Sequence, residues 1–311
     1  MPMFDAYVFV DWSAASCPHP HRPTADAVWV GEFVPCLNRQ SETYHRTRNG
    51  GVAHVTSVLV AHVKEKRRVI VGFDFPYGYP AGFSSALGLP SGPRSWLAVW
   101  THLAEKVQDA ANNKNNRFTA AGELNTIAGN DNMGPFWGCP VGTKITNLRG
   151  RSPAFPFNTK GGVLLQRLRI VETLLPGTQE AWKLFGAGSV GSQALVGIPY
   201  VYKLRRHMEL VQLSQVWPFE TRFTPAPTLG QRPFVLHAEI WPGVVRQMAQ
   251  GLVNANPALI RDQAQVRAMC EWTAECDEQG MLGRFFGPPN GLNQQQTQVC
   301  VEQEGWVLGA A

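Results

Sequence analysis

The sequence predicts a mixed α/β fold built on a central β-sheet, with acidic residues gathered at one end of it. Three observations predict this. Short apolar runs rich in β-branched and aromatic residues recur early in the chain. The first helical pattern comes only after three of them, and two of the strands stop at an aspartate. No linker, internal repeat or low-complexity stretch divides the 311 residues, so they read as a single elaborated domain, 1–311.

Ala6–Val10 (AYVFV) is the first strand, ending at Asp11. The prolines and histidines crowded into Cys17–Thr24 make a surface loop. Ala27–Phe33 is a second strand and Ser41–Thr47 a third, toward an edge. Asn49-Gly50-Gly51 reads as a break. Val52, Val55, Leu59 and Val63 then recur at helical spacing over Val52–Val63. Arg67–Phe73 is a buried strand ending at Asp74. In the order β-β-β-α-β, three strands form an antiparallel meander and the helix returns the fourth parallel to the first. This is the opening of the RNase H fold. A Rossmann unit would begin β-α-β with a glycine-rich first turn, and Asp11-Trp12-Ser13-Ala14-Ala15 has no glycine.

Residues 90–153 read as an insertion, with a helix over Ser95–Ala110 and loops at Asn112–Arg117 and Gly129–Pro140. A second helix is expected over Gly162–Leu174. Val211–Phe219 and Pro233–Ile240 are further strands, and Ile260–Cys276 is the strongest late helix.

Composition bounds the function classes. No apolar run reaches the length of a membrane-spanning helix, so no membrane partner is expected. None of the six cysteines forms a CxxC pair, which fits reduced thiols in the cytoplasm. A net charge of +5 permits an anionic partner, nucleic acid or nucleotide, without demanding one. Self-association as a homo-oligomer stays open.

The acids carry the sharper signal. Strands 1 and 4 are parallel neighbours, so Asp11 and Asp74 end at the same sheet edge. Two carboxylates there repel unless a cation stands between them, and a hard divalent ion such as Mg²⁺ or Mn²⁺ is the natural partner. Glu220 and Glu239 end later strand-like stretches, and Asp262 lies near the start of the late helix, where a helix-dipole role competes. The segment Gly186-Ala187-Gly188-Ser189-Val190-Gly191-Ser192 contains GxGxxG and, opening a helix, would offer backbone N–H groups to a phosphate. Ser189, Ser192 and Gln193 are its candidate contacts. Ser13, Tyr77 and Arg117 are candidate substrate contacts elsewhere: Tyr77 for stacking, Arg117 for an anion.

The stretches VFVDWSAAS, VGFDFPYGYPAGF, GPFWGCP, GSVGSQALVGIP, VWPFET, HAEIWP and RDQAQV, spread from Val8 to Val266, resemble a bacterial family of RNase H-like proteins of unknown function, the group numbered 429, sometimes labelled as related to molybdopterin-guanine dinucleotide or cobalamin synthesis. The resemblance implies the RNase H-like fold. It also implies a metal site, because nucleases and resolvases of that fold place acids on strand 1, strand 4 and a late helix, where Asp11, Asp74 and Asp262 fall. Strand 4 here ends in Asp where many such nucleases carry Glu.

The expected function is metal-dependent phosphoryl-group chemistry, phosphodiester hydrolysis on nucleic acid or a nucleotide. Asp11 and Asp74 would bind Mg²⁺ or Mn²⁺, with Glu239 or Asp262 completing the shell and Glu220 as reserve ligand or base. Two other classes remain: a small-molecule or nucleotide-dependent transferase using the 186–192 loop, and a non-enzymatic binding or assembly module. In the last, the acids should not converge.

Overall fold

A computed structural model describes residues 1–130, 133–227, 230 and 233–310; residues 131 and 132 of the expected Gly129–Pro140 loop lie outside the described residues. The first strand, β1 (Ala6–Asp11), is buried along its whole length, as a central strand covered on both faces must be. β2 (Val28–Val34) and β3 (Arg39–His45) run antiparallel in a meander. α1 (Arg48–Lys64) crosses over, and β4 (Arg68–Phe73) returns parallel to β1. A long excursion follows, carrying α2 (Ser95–Lys106), α3 (Arg117–Ala128) and α4 (Val190–Arg205). β5 (Ser214–Val216) and β6 (Phe234–Glu239) then complete a six-stranded mixed sheet, ordered β3-β2-β1-β4-β6-β5. α5 (Arg246–Ala255) and α6 (Arg261–Glu278) close the chain's long elements.

The two-residue alternation of strands sorts the core into two layers. Val8, Val10, Val69, Val71 and Phe73 pack with Val55 and Leu59 of α1 and with side chains of α2 and α4. Tyr7, Phe9, Ile70, Leu236 and Ala238 pack with Ala264, Ala268, Met269 and Cys270 of α6. α6 lies so close to the sheet that a Cβ on Gly31 would stand 2.9 Å from the Val266 carbonyl oxygen.

Several elements depart from the sequence reading, each for a local reason. α1 starts at Arg48, because the Thr47 hydroxyl accepts from the Gly50 N–H and caps the helix. The Gly50-Gly51 pair read as a break lies in its first turn. The expected Gly162–Leu174 helix does not form. Phe157–Asn158 pairs with Leu164–Leu165 across a turn at left-handed Gly162, and only Ile170–Leu174 is helical. α3 begins where a loop was expected to end, and the Ser95 helix stops at Lys106. The Val211–Phe219 strand shrinks to Ser214–Val216. Among the described residues no helix is long and apolar enough to cross a membrane. All six cysteines are free.

One buried ionic knot joins the excursion to the sheet. Arg169, fully buried, donates to both oxygens of Glu239 (2.6 and 2.8 Å) and to Glu172 (2.8 Å). Glu304 reinforces it by accepting from the Ile170 and Ala81 N–H groups. Arg169→Met leaves two buried carboxylates without their cation. It should cost about 3–5 kcal/mol in denaturant-unfolding stability; a loss below roughly 1 kcal/mol, the range of an exposed ion pair, would show that the knot contributes little.

Candidate active site at the sheet edge

The chain leaves β1 at Asp11 and passes along the edge of the sheet. Four contacts fix its path. The Trp12 N–H donates to Asp74 Oδ1 at 2.7 Å, tying the ends of β1 and β4 together. The buried Arg48 guanidinium donates to the carbonyls of Ser13 (2.9 Å) and Ala15 (2.7 Å) while its other nitrogens hold the Asp109 carboxylate. Gln193, in the first turn of α4, donates to the Trp12 carbonyl at 2.6 Å. Arg117 bridges Ser192 Oγ (2.9 Å) and Ser16 Oγ (2.8 Å).

These contacts frame an open cleft of about 580 Å³. Asp11, Ser13, His19, Asp26 and Asp74 line one side of it, and the Gly186–Ser189 loop with Gln193 lines another. Trp241, Arg246 and Arg261 complete the wall. Five of the residues expected at a site therefore meet here: Asp11, Ser13, Asp74, Ser189 and Gln193. No hydrogen bond from the Ser189 side chain caps α4; the Lys183 carbonyl takes the Gly191 N–H and the Ser189 carbonyl the Ser192 N–H, so among the described residues the Val190 N–H is the one left open at the helix start.

Asp11 is the unusual group. It is 8% exposed, and among the described residues its carboxylate has no hydrogen bond and no ion pair. Burial raises its pKa well above the ordinary carboxylate range, and the charges of Asp74 and Asp262 raise it further. Burial likewise pushes Asp74 up to about 7, against the Trp12 N–H that favours its anion. Asp262 is near enough to act on both by charge. Both its oxygens are already engaged, one by Arg261 Nε (2.7 Å) and one by the Asp26 N–H.

The other expected site residues are employed elsewhere. Glu239 stands in register with Phe73, which pairs beside Val10, so its side chain leaves the sheet on the face opposite Asp11. There it is the acceptor for Arg169 and for the Tyr77 N–H. Glu220 does not line the cleft. It forms a forked pair with Arg205 (2.9 Å to each oxygen) and accepts from the Val216 N–H. Tyr77 is buried among aromatic rings, beside Phe75 and Trp100. Arg117 lies over the Phe118 ring, 4.3 Å from its centroid, and Ser192 donates to the Leu184 carbonyl. Arg117 acts on the site through the Ser16 and Ser192 hydroxyls it holds, and Ser192 through the Leu184 carbonyl.

His19, Asp26, Trp241, Arg246 and Arg261 were missed as cleft residues. The His19 loop reads as open surface, yet the His19 N–H donates to the Arg46 carbonyl and Arg46 Nε donates back to the His19 carbonyl. This ladder folds the loop over the cleft. Two of them had a signal in the sequence: Arg261, one residue from Asp262, and His19, whose His19-Pro20-His21 pair follows close behind Asp11 and admits a metal role although it reads first as surface loop.

Comparison with protein-family models, curated proteins and solved structures finds no match to this chain.

The raised carboxyl pKa values carry a stability consequence. A group whose acid form the fold favours loses its contribution as pH rises from the unfolded value, 3.8, through the folded one, about 7 for Asp74. Asp74→Asn keeps an acceptor for Trp12 and removes the charge. In chelator it should raise Tm at about pH 8 by a stabilisation on the order of 4 kcal/mol, about three pKa units at about 1.4 kcal/mol each, and leave Tm nearly unchanged near pH 4. Thermal denaturation with the same shift at both pH values would contradict the burial of this charge.

Proposed function

We propose that the chain is an RNase H-like, metal-dependent phosphoryl-group enzyme, acting on a phosphodiester in nucleic acid or a nucleotide. The observation that carries this reading is the buried, unpartnered Asp11 carboxylate beside Asp74 in an open cleft. A fold gains nothing from holding two repelling acids there unless a cation joins them. Oxygen-only donors suit Mg²⁺ or Mn²⁺. The strand order β3-β2-β1-β4, with acids ending β1 and β4, and the family resemblance of the motifs support the RNase H-like assignment.

Asp11 offers both oxygens and Asp74 the one that Trp12 leaves free. Among the described residues no three acidic, His or Cys side chains form a ready-made ligand group. Substrate oxygens and water therefore complete the shell in this reading, and Asp262 joins only by releasing Arg261. The bound cation supplies the positive charge that stabilises developing negative charge on a phosphoryl oxygen. On the other wall, the Val190 N–H at the start of α4, the Ser189 hydroxyl and the Arg246 guanidinium receive the remaining phosphate oxygens. The 186–192 loop thus serves the same substrate, and the convergence of the acids weighs against a purely structural module.

Calorimetric titration with Mn²⁺ and Mg²⁺ tests this. Wild type should bind at up to millimolar-order metal, and Asp11→Asn/Asp74→Asn should not. Titration repeated with a non-hydrolysable nucleotide covers joint binding. Absence of metal uptake in both formats sinks the reading.

A further inference from the structure

The cleft contains a second chemical device beside the acids. Ser13 Oγ and His19 Nε2 stand 3.0 Å apart, and both residues line the cleft. The Ala15 N–H donates to the same Ser13 oxygen at 3.3 Å. With one proton already directed at that oxygen, the Ser13 hydroxyl proton is left to point at the imidazole. Among the described residues nothing else bonds the His19 ring. Burial and the nearby Arg48 guanidinium lower the pKa of His19 while Asp26 opposes them, which leaves Nε2 free to accept. The arrangement is fixed from both ends. Arg48 grips the carbonyls of Ser13 and Ala15, and the Arg46 carbonyl and guanidinium hold the His19 backbone. Gln193 places the first turn of α4 one residue from Ser13.

We propose that Ser13 is a nucleophile and His19 its general base, and that the cleft transfers a phosphoryl group through a covalent phosphoserine. The pair has the contact such catalysis needs, a hydroxyl within hydrogen-bond reach of a base whose own backbone is anchored. Ser13 Oγ forms a bond to phosphorus as the bond from phosphorus to the leaving oxygen breaks. The serine proton passes to His19 Nε2 and then to the leaving oxygen. Water next attacks the phosphoserine, its proton going to His19. The serine–phosphorus bond breaks, and Ser13 recovers its proton from the imidazole. The atoms balance as transfer followed by hydrolysis, with no oxidant or reductant.

The substrate class rests on the phosphoryl reading above, but the pair itself does not need the acids or a metal. The test is therefore made with an uncharged probe, a dialkyl fluorophosphate, on the full chain in chelator. The serine–phosphorus bond forms, the phosphorus–fluorine bond breaks, fluoride leaves, and His19 takes the proton. Intact-mass measurement should show one dialkylphosphoryl group per chain, and peptide mapping should place it on Ser13. His19→Gln should slow labelling about 100-fold, the lower range for loss of a general base. Ser13→Ala should abolish it with an unchanged melting curve. If either variant unfolds, peptide mapping of the labelled wild type decides alone. No adduct, an adduct on another residue, or a Ser13 adduct in which folded His19→Gln labels at the wild-type rate overturns the proposal. Loss of metal binding with labelling intact would instead remove the metal reading and leave the pair standing.

Discussion

A single guanidinium, that of Arg48, organises the region where chemistry is expected. It is fully buried, and its hydrogen bonds go to the Asp109 carboxylate and to the carbonyls of Ser13, Ala15 and Asn113. An unpaired cation in that position would be prohibitive, so these four groups must assemble together. They come from the segment after β1 and the turn between α2 and α3, and Arg48 itself opens α1. The chain emerging from β1 is thereby pinned to the excursion before any ligand arrives. The planar fork suits this role, since a lysine could not reach a carboxylate and three carbonyls at once.

The acids at the sheet edge show how one secondary-structure rule divides similar residues between opposite tasks. Asp11 and Glu239 both end parallel strands on the same edge. Strand alternation turns Asp11 toward α6 and Glu239 toward the excursion. Glu239 then meets Arg169 and becomes a structural anchor. Asp11 meets other carboxylates and remains without a partner. Asp262 lies between these cases, held by Arg261 and the Asp26 N–H while still adding its charge to the cleft.

Much of the sheet was legible in the sequence because its strands are continuous apolar runs and its crossover helix has a clear period. The joining of Asp11 and Asp74 followed from topology alone. Glu239 was misplaced because strand ends were compared without their register, and one residue of register exchanges the faces. Glu220 was misplaced because Arg205, its partner, sits at the end of a helix whose length was not foreseen. α4 contains Gly191, Gly197 and Pro199, which read as interruptions. Gly197 is required, since a Cβ there would stand 2.4 Å from the Phe75 ring. The Arg169 knot was not legible at all. Glu172 lies only three residues from Arg169, but the partners that tie it to the sheet and to Glu304 lie 70 and 135 residues away in sequence, and nothing local marks them. The inward turn of His19 was hidden for a similar reason, since the hydrogen bonds it exchanges with the Arg46 carbonyl and guanidinium span 27 residues.

The way β1 is held at its other end bears on how the protein is made. Asp277, near the end of α6, accepts from the Met3 and Phe4 N–H groups and from the Tyr7 hydroxyl, across separations of 270 residues or more. The central strand thus leaves the ribosome well before its buried anchor, 270 residues or more ahead of it. Until Asp277 has been synthesised, β1 has no cover on its α6 face, and its apolar residues stay open to chaperones or to other nascent chains. Contacts of such high sequence separation also slow the final collapse. Completion of the core, and with it closure of the Asp26–Asp262 side of the cleft, therefore waits on the synthesis of α6, long after β1 itself has emerged.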